Sequence, residues 1–310
     1  MADVMDASDA PDSRGPSLYA WASLGTSVAV LGLKLVAALL TGSVGFLSDA
    51  LESIVNVLGA FVALIALRVA ARPASDEHPH GHGKVEYFSS GFEGALVLVA
   101  AVMILYEAIP RLITPRPLEG IGVGVAVSAL ACVLNFAMAR ALFRGAKKHR
   151  SIALEADGHH LMTDVWTSVG VLVAVGLVEV TKVRLLDPLA AIAVGLNIVR
   201  TGLSLIRRSM KGLMDTSLAT DELTRIDGML RELEREHGAR FHALRTRQAG
   251  ARRFVELHVL VPGDWTVRRG HDLCEHVERT LRDLGPLTTV FTHLEPLEDP
   301  VSFDDQVLDR

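Results

Sequence analysis

Ser48-Asp49-Ala50-Leu51-Glu52-Ser53-Ile54-Val55-Asn56 lies inside a mostly apolar run over residues 44–70, and Asp157-Gly158-His159-His160-Leu161-Met162-Thr163-Asp164 lies inside another over 152–180. Placed on helices, Asp49, Glu52, Ser53 and Asn56 fall three and four residues apart and share one face, and His160 and Asp164 stand one turn apart on theirs. A bilayer core is crossed by about 20 mostly apolar residues rising ~1.5 Å each, and both runs are long enough. Ionisable groups inside such spans are costly, so they mark a functional site unless they only pin helices together. Two carboxylates and an imidazole in two such pairs are too much charge to bury for packing alone. Lys34, on the first apolar run, is the one cation that could offset it.

Four more apolar runs flank these two, at 18–40, 88–113, 119–143 and 186–206. Turn signals separate them: Thr41-Gly42-Ser43, Pro73, Thr114-Pro115-Arg116-Pro117 and Asp187-Pro188. Lys and Arg distribute unevenly between the short connections. Arg144, Lys147, Lys148, His149 and Arg150 follow the fourth run, Arg207, Arg208 and Lys211 the sixth, and Arg72 and Lys84 the second; the other side has Arg116, Lys182 and Arg184. The bias places both termini in the cytoplasm of a multi-pass protein of the cell (inner) membrane.

After Asp215 the texture changes. Leu223, Ile226, Leu230 and Leu233 recur at helical spacing within 221–237; 241–247 and 253–261 alternate as strands; 267–284 reads as a helix and 288–295 as a strand. The expected architecture is an α-helical membrane protein with six transmembrane helices, plus a C-terminal α+β domain of order α-β-β-α-β. Its divisions are a disordered tail over 1–16, a membrane domain over 17–212, a cytoplasmic domain over 213–298 and a C-terminal tail over 299–310. The net charge of −5 argues against nucleic acid as a partner. The two cysteines, Cys132 and Cys274, read as small buried hydrophobes, not as a disulfide.

Glu52, His160 and Asp164 offer the N and O donors of a tetrahedral dication site, with bonds of about 2.0–2.2 Å. Asn56 offers a neutral amide oxygen, better suited to harder ions. The chain has no His-Glu-x-x-His motif for a metalloprotease and no G-x-x-x-x-G-K-[ST] loop for nucleotide. It is therefore expected to be neither an enzyme nor an ATP-driven pump, and no organic cofactor is expected. Strong chelation also argues against a fast channel. A membrane-anchored metal sensor that does not transport is the alternative class.

Ser43-Val44, Gly81-His82-Gly83-Lys84, His160-x-x-x-Asp164 and Leu244-Arg245-Thr246-Arg247-Gln248-Ala249-Gly250 together resemble the cation diffusion facilitator family of metal/proton antiporters, over residues 18–297. The resemblance implies a transport site at Glu52, Asn56, His160 and Asp164, with Asp49 as an auxiliary ligand. It implies a loop site at His78 and His82, where Asp76 stands in for a family Asp that aligns with Ser75. In the tail it implies a dimerising, metal-binding fold with His242, His258, His271, His293 and Glu295 as ligands, and a charge interlock of Lys84 with Asp215. The expected activity is efflux of divalent metal, Zn(II) first, by a homodimer that exchanges it for protons. Glu52 and Asn56 depart from the usual zinc pattern, which keeps Mn(II), Fe(II) and Co(II) as alternatives.

Overall fold

The computed structural model describes residues 14–41, 44–113, 123–181, 183 and 185–304. Most of the expected N-terminal tail, the turns at 42–43 and 114–117, Lys182, Arg184 and residues 305–310 lie outside the described residues. So do the side chains of Asp49 and Glu52, although both residues lie on a described helix. The chain divides into two compact units, Met1–Met210 and Lys211–Arg310.

The first unit is helical: α1 (Arg14–Thr41), α2 (Val44–Ala70), α3 (Val85–Ile113), α4 (Val123–His149), α5 (Ile152–Thr181) and α6 (Leu186–Leu213). Among the described residues, five stretches are long and apolar enough to cross a membrane: Gly15–Leu39, Ser53–Ala70, Val85–Pro110, Ala129–His149 and Pro188–Leu213. The remaining helix, α5, is 30 residues long, carries the polar cluster in its first half, and touches α2, α3 and α4. Large apolar side chains face outward, among them Leu39, Phe61, Val102 and Tyr106. So broad an apolar exterior belongs in hydrocarbon, not in water. Inside, small residues let the helices close: Ala20, Ala60, Ala63, Ala139 and Ala153 are fully buried. A Cβ on Gly94 would stand 3.2 Å from the Gly202 carbonyl, so α3 and α6 meet almost backbone to backbone there.

Two helices run further than the apolar pattern suggests. α4 continues to His149 and α6 to Leu213. Arg144, Lys147 and Lys148, expected in a connection, occupy the last turns of α4, and Lys211 occupies that of α6. Lys and Arg are good helix formers, and their charge suits the carbonyl end of the helix dipole.

The second unit follows the order α7 (Thr220–His237), β1 (Arg240–Ala249), β2 (Arg252–Val261), α8 (Val267–Arg282), β3 (Thr288–Pro296), then a short 3-10 turn over Pro300–Phe303. The sheet order is β1-β2-β3, with β1 antiparallel and β3 parallel to β2. The parallel pair needs a crossover, and α8 supplies it. Val255, Leu257, Val259 and Val261 alternate onto one sheet face and pack with Ile226, Leu230 and Leu233 of α7 and Leu273, Val277 and Leu281 of α8. Thr266 caps α8 by accepting from the Arg269 N–H at 3.3 Å. The buried Arg253 guanidinium donates to Glu222 at 2.8 Å, tying β2 to α7. Both cysteines are free and partly buried, and burial pushes the Cys274 thiol up, away from reactive thiolate.

Candidate metal centres

Helices α2 and α5 bring the intramembrane donors together. Asn56 is buried, and so is His160. The His160 Nε2 lies 2.6 Å from Asn56 Oδ1. The Asn56 amide nitrogen donates to Asp164 Oδ2 in a very short bond, and Asn135 of α4 donates to the same oxygen at 3.2 Å. With the Asn56 nitrogen turned to Asp164, its oxygen faces the imidazole and can accept from His160 Nε2. The three groups thus contact one another across the helix pair. Asp49 and Glu52 share the α2 face of Asn56 by spacing, but their side chains lie outside the described residues.

The second nitrogen of His160 faces a residue that sequence reasoning passed over. Glu93 of α3 is completely buried, and its Oε2 lies 3.6 Å from His160 Nδ1. Neither Glu93 oxygen has a hydrogen bond. Its place is made by α2: a Cβ on Gly59 would stand 2.9 Å from both carboxylate oxygens. A lone Glu in an apolar run has no partner at helical spacing, so only the packing of α3 on α5 reveals it. Asp157, one turn before His160, is also buried.

The loop before α3 is exposed. The rings of His78 and His82 meet edge to face at 4.6 Å, and the Ser75 hydroxyl accepts from the His78 N–H at 3.3 Å. Among the described residues, Asp76 does not join them in a compact three-donor cluster.

In the tail, backbone register does the assembling. His242 pairs with His258 across β1 and β2, and His258 with His293 across β2 and β3, so three imidazoles stand in a row over neighbouring strands. Glu295 lies two residues after His293 and so shares its face. That face is the one turned away from α7 and α8, because His258 alternates with the core residues Leu257 and Val259. Glu295 Oε2 lies 2.9 Å from His242 Nε2 and 3.2 Å from His258 Nδ1. Its other oxygen lies 3.5 Å from His293 Nε2. The donors of His242, His258 and Glu295 all lie within 4.8 Å of one another, as a single ion requires. A bulge between His242 and Arg245 interrupts the ladder beside them before pairing resumes at Arg245, and Phe303 of the 3-10 turn packs on the His242 ring at 5.7 Å. His293 is mostly exposed, at 68%.

His271 is not part of this cluster. It lies exposed on α8, in the layer on the opposite face of the sheet. Asp215 has left-handed backbone with φ 53 and lies 3.8 Å from Arg247 within its own unit. A second group of donors, Glu236 and His237 of α7 with His276 of α8, also gathers within 4.8 Å. Nothing in the sequence singled it out, because its members come from two helices far apart along the chain.

Comparisons with known proteins bear on the two units. Residues 20–214 match the family described as "Cation efflux transmembrane domain", and residues 218–297 match "Cation efflux protein, cytoplasmic domain". An uncharacterised transporter of Synechocystis sp. is 53% identical over 285 residues, covering 92% of each chain. The cation-efflux pump FieF of Citrobacter koseri is 30% identical over 267 residues, 86% of this chain and 88% of that protein. A solved structure described as "Mode of Action of a Putative Zinc Transporter CzrB (Zn form)" shares 38% identity over 26% of this chain and 91% of that one, at a TM-score of 0.25. Helical spans and an appended α+β domain thus match one known kind of protein, and the chain is a member of the cation diffusion facilitator family, an integral membrane cation-efflux transporter.

Proposed function

We propose that this chain exports divalent transition-metal cations, zinc(II) first among them, in exchange for protons, working as a homodimer with its tail in the cytoplasm. The transported ion binds Glu52, Asn56, His160 and Asp164, with Asp49 as an auxiliary ligand. The observation that carries this reading is the contact of His160 Nε2 with Asn56 Oδ1 at 2.6 Å, beside the bond from Asn56 to Asp164. These groups come from facing helices, and the imidazole and carboxylate that would hold a metal are also groups that a proton can take. Metal binds the deprotonated donors, so metal and protons compete for the same groups. Glu93 Oε2 stands 3.6 Å behind His160 Nδ1, placed to accept the far N–H once the near nitrogen takes the ion.

His78 and His82, with Asp76, supply a loading point on the exposed loop. His242, His258, His293 and Glu295 sense cytosolic metal, and ion binding there biases transport only if it favours one tail arrangement over another.

Purified protein in vesicles with an acidic lumen tests the reading. Zinc is expected to enter, and the lumen to lose acidity in step. Zinc entry without luminal alkalinisation removes the exchange, and no entry removes transport. Repeating the series with Mn(II), Fe(II) and Co(II) ranks the cargo.

A further inference from the structure

We infer that the tail carries a second, separate cation site, built from Glu236 and His237 at the end of α7 and His276 on α8, which takes a borderline divalent transition metal such as zinc(II). The three donor atoms all lie within 4.8 Å of one another. His237 Nε2 lies 3.9 Å from Glu236 Oε2, and the His237 and His276 rings meet edge to face at 5.2 Å. Two imidazoles and one carboxylate form the donor set of open zinc sites, in which water fills the fourth position.

Geometry and charge both favour the ion. Bonds of about 2.0–2.1 Å place tetrahedral donors roughly 3.3 Å apart, so these must close by at most ~1.5 Å. Glu236 and His237 are exposed and His276 half-buried, so side-chain rotation suffices. His237 is the last residue of α7, where the carbonyl ends of the helix attract cations and repel anions. A carboxylate on Glu236 is poorly placed there on its own. Among the described residues it makes no ion pair with Lys or Arg, and its charge is directed at His237. A dication answers both the helix end and the carboxylate.

The site is distinct from the row on the strands. It lies in the helix layer, while His242, His258 and Glu295 lie on the opposite face of the sheet. With three ligands and open access to solvent it binds more weakly than an enclosed four-ligand site. It fills when cytosolic metal is plentiful, and filling fastens the end of α7 to the middle of α8.

Zinc binding to the full-length protein in detergent, followed by equilibrium dialysis, tests this. His276→Gln is expected to remove one zinc per chain from the weaker class, and His258→Gln one from a different class. The double variant is expected to lose both. Glu236→Gln lies on an exposed surface that the fold does not need, and is expected to weaken the weaker class about tenfold or more. Hydrogen exchange near residues 234–238 and 276 is expected to slow as that class fills. Unchanged stoichiometry in His276→Gln, or unchanged affinity in Glu236→Gln, overturns the site. Neither readout depends on transport, so failure here leaves the efflux reading standing, and the reverse holds as well.

Discussion

The donors between α2 and α5 and the donors on the tail sheet are held in opposite ways. In the helical unit Asn56, His160 and Asp164 are closed on one another, with Asn56 and His160 buried and Glu93 beside His160. In the tail, His242, His258 and His293 stand abreast on three strands around one carboxylate, with His293 open to solvent. Helices held by small-residue contacts can tilt or slide without breaking their own backbone bonds, whereas strands cannot move past one another without losing the ladder. A cluster shared by two helices can therefore open and release an ion. A cluster written across a sheet holds its donors and reports occupancy.

Four substitutions would sharpen or break that contrast. The largest effect is expected from Asp164→Ala, which removes a proposed ligand and should lower vesicle zinc flux about 100-fold or more; tail zinc binding should be unchanged. Wild-type flux in this variant would show that the ion passes elsewhere. Next comes Glu93→Gln, expected to cut flux about tenfold, the usual scale for a group that orients a ligand. Glu93→Asp should recover part of it, and equal flux in all three proteins would reduce Glu93 to packing. Asn56→Asp exchanges an amide oxygen for a charged one and should shift the zinc-to-manganese flux ratio by about threefold or more towards zinc. A ratio that does not move would mean that Asn56 does not touch the cargo. The smallest effect on flux is expected from His258→Gln, which should abolish a class of tail zinc while flux at saturating zinc stays within about twofold of wild type. Total loss of flux in a folded protein would make the tail cluster part of the path.

Much of the fold was legible because periodicity is a local property. The alternation that sends Val255, Leu257, Val259 and Val261 to the core is visible in the sequence, and so is the helical recurrence of Ile226, Leu230 and Leu233. The ends of α4 and α6 were not, because hydropathy stops at the membrane surface while basic residues carry the helix beyond it. Candidate ligands with a partner one turn away, such as His160 and Asp164, stood out by spacing. The strand histidines were recognised only by resemblance, since His242, His258 and His293 become neighbours through register. His271 was carried over from the same resemblance, and lies in the helix layer instead. Glu93 carried only the signal of an ionisable group inside the 88–113 run, and its contact with His160, like the grouping of Glu236, His237 and His276, arises from tertiary packing alone.

The pairing of β1, β2 and β3 makes the tail cluster unusually sensitive to one kind of change. Strand side chains alternate faces residue by residue, so deleting a single residue from β2 between Arg253 and His258 would turn that imidazole into the oily interior and put a valine or leucine where it had been. Swapping one histidine costs one ligand, but a frame slip of one position scrambles the whole row. Insertions and deletions in this stretch should therefore be tolerated only in pairs.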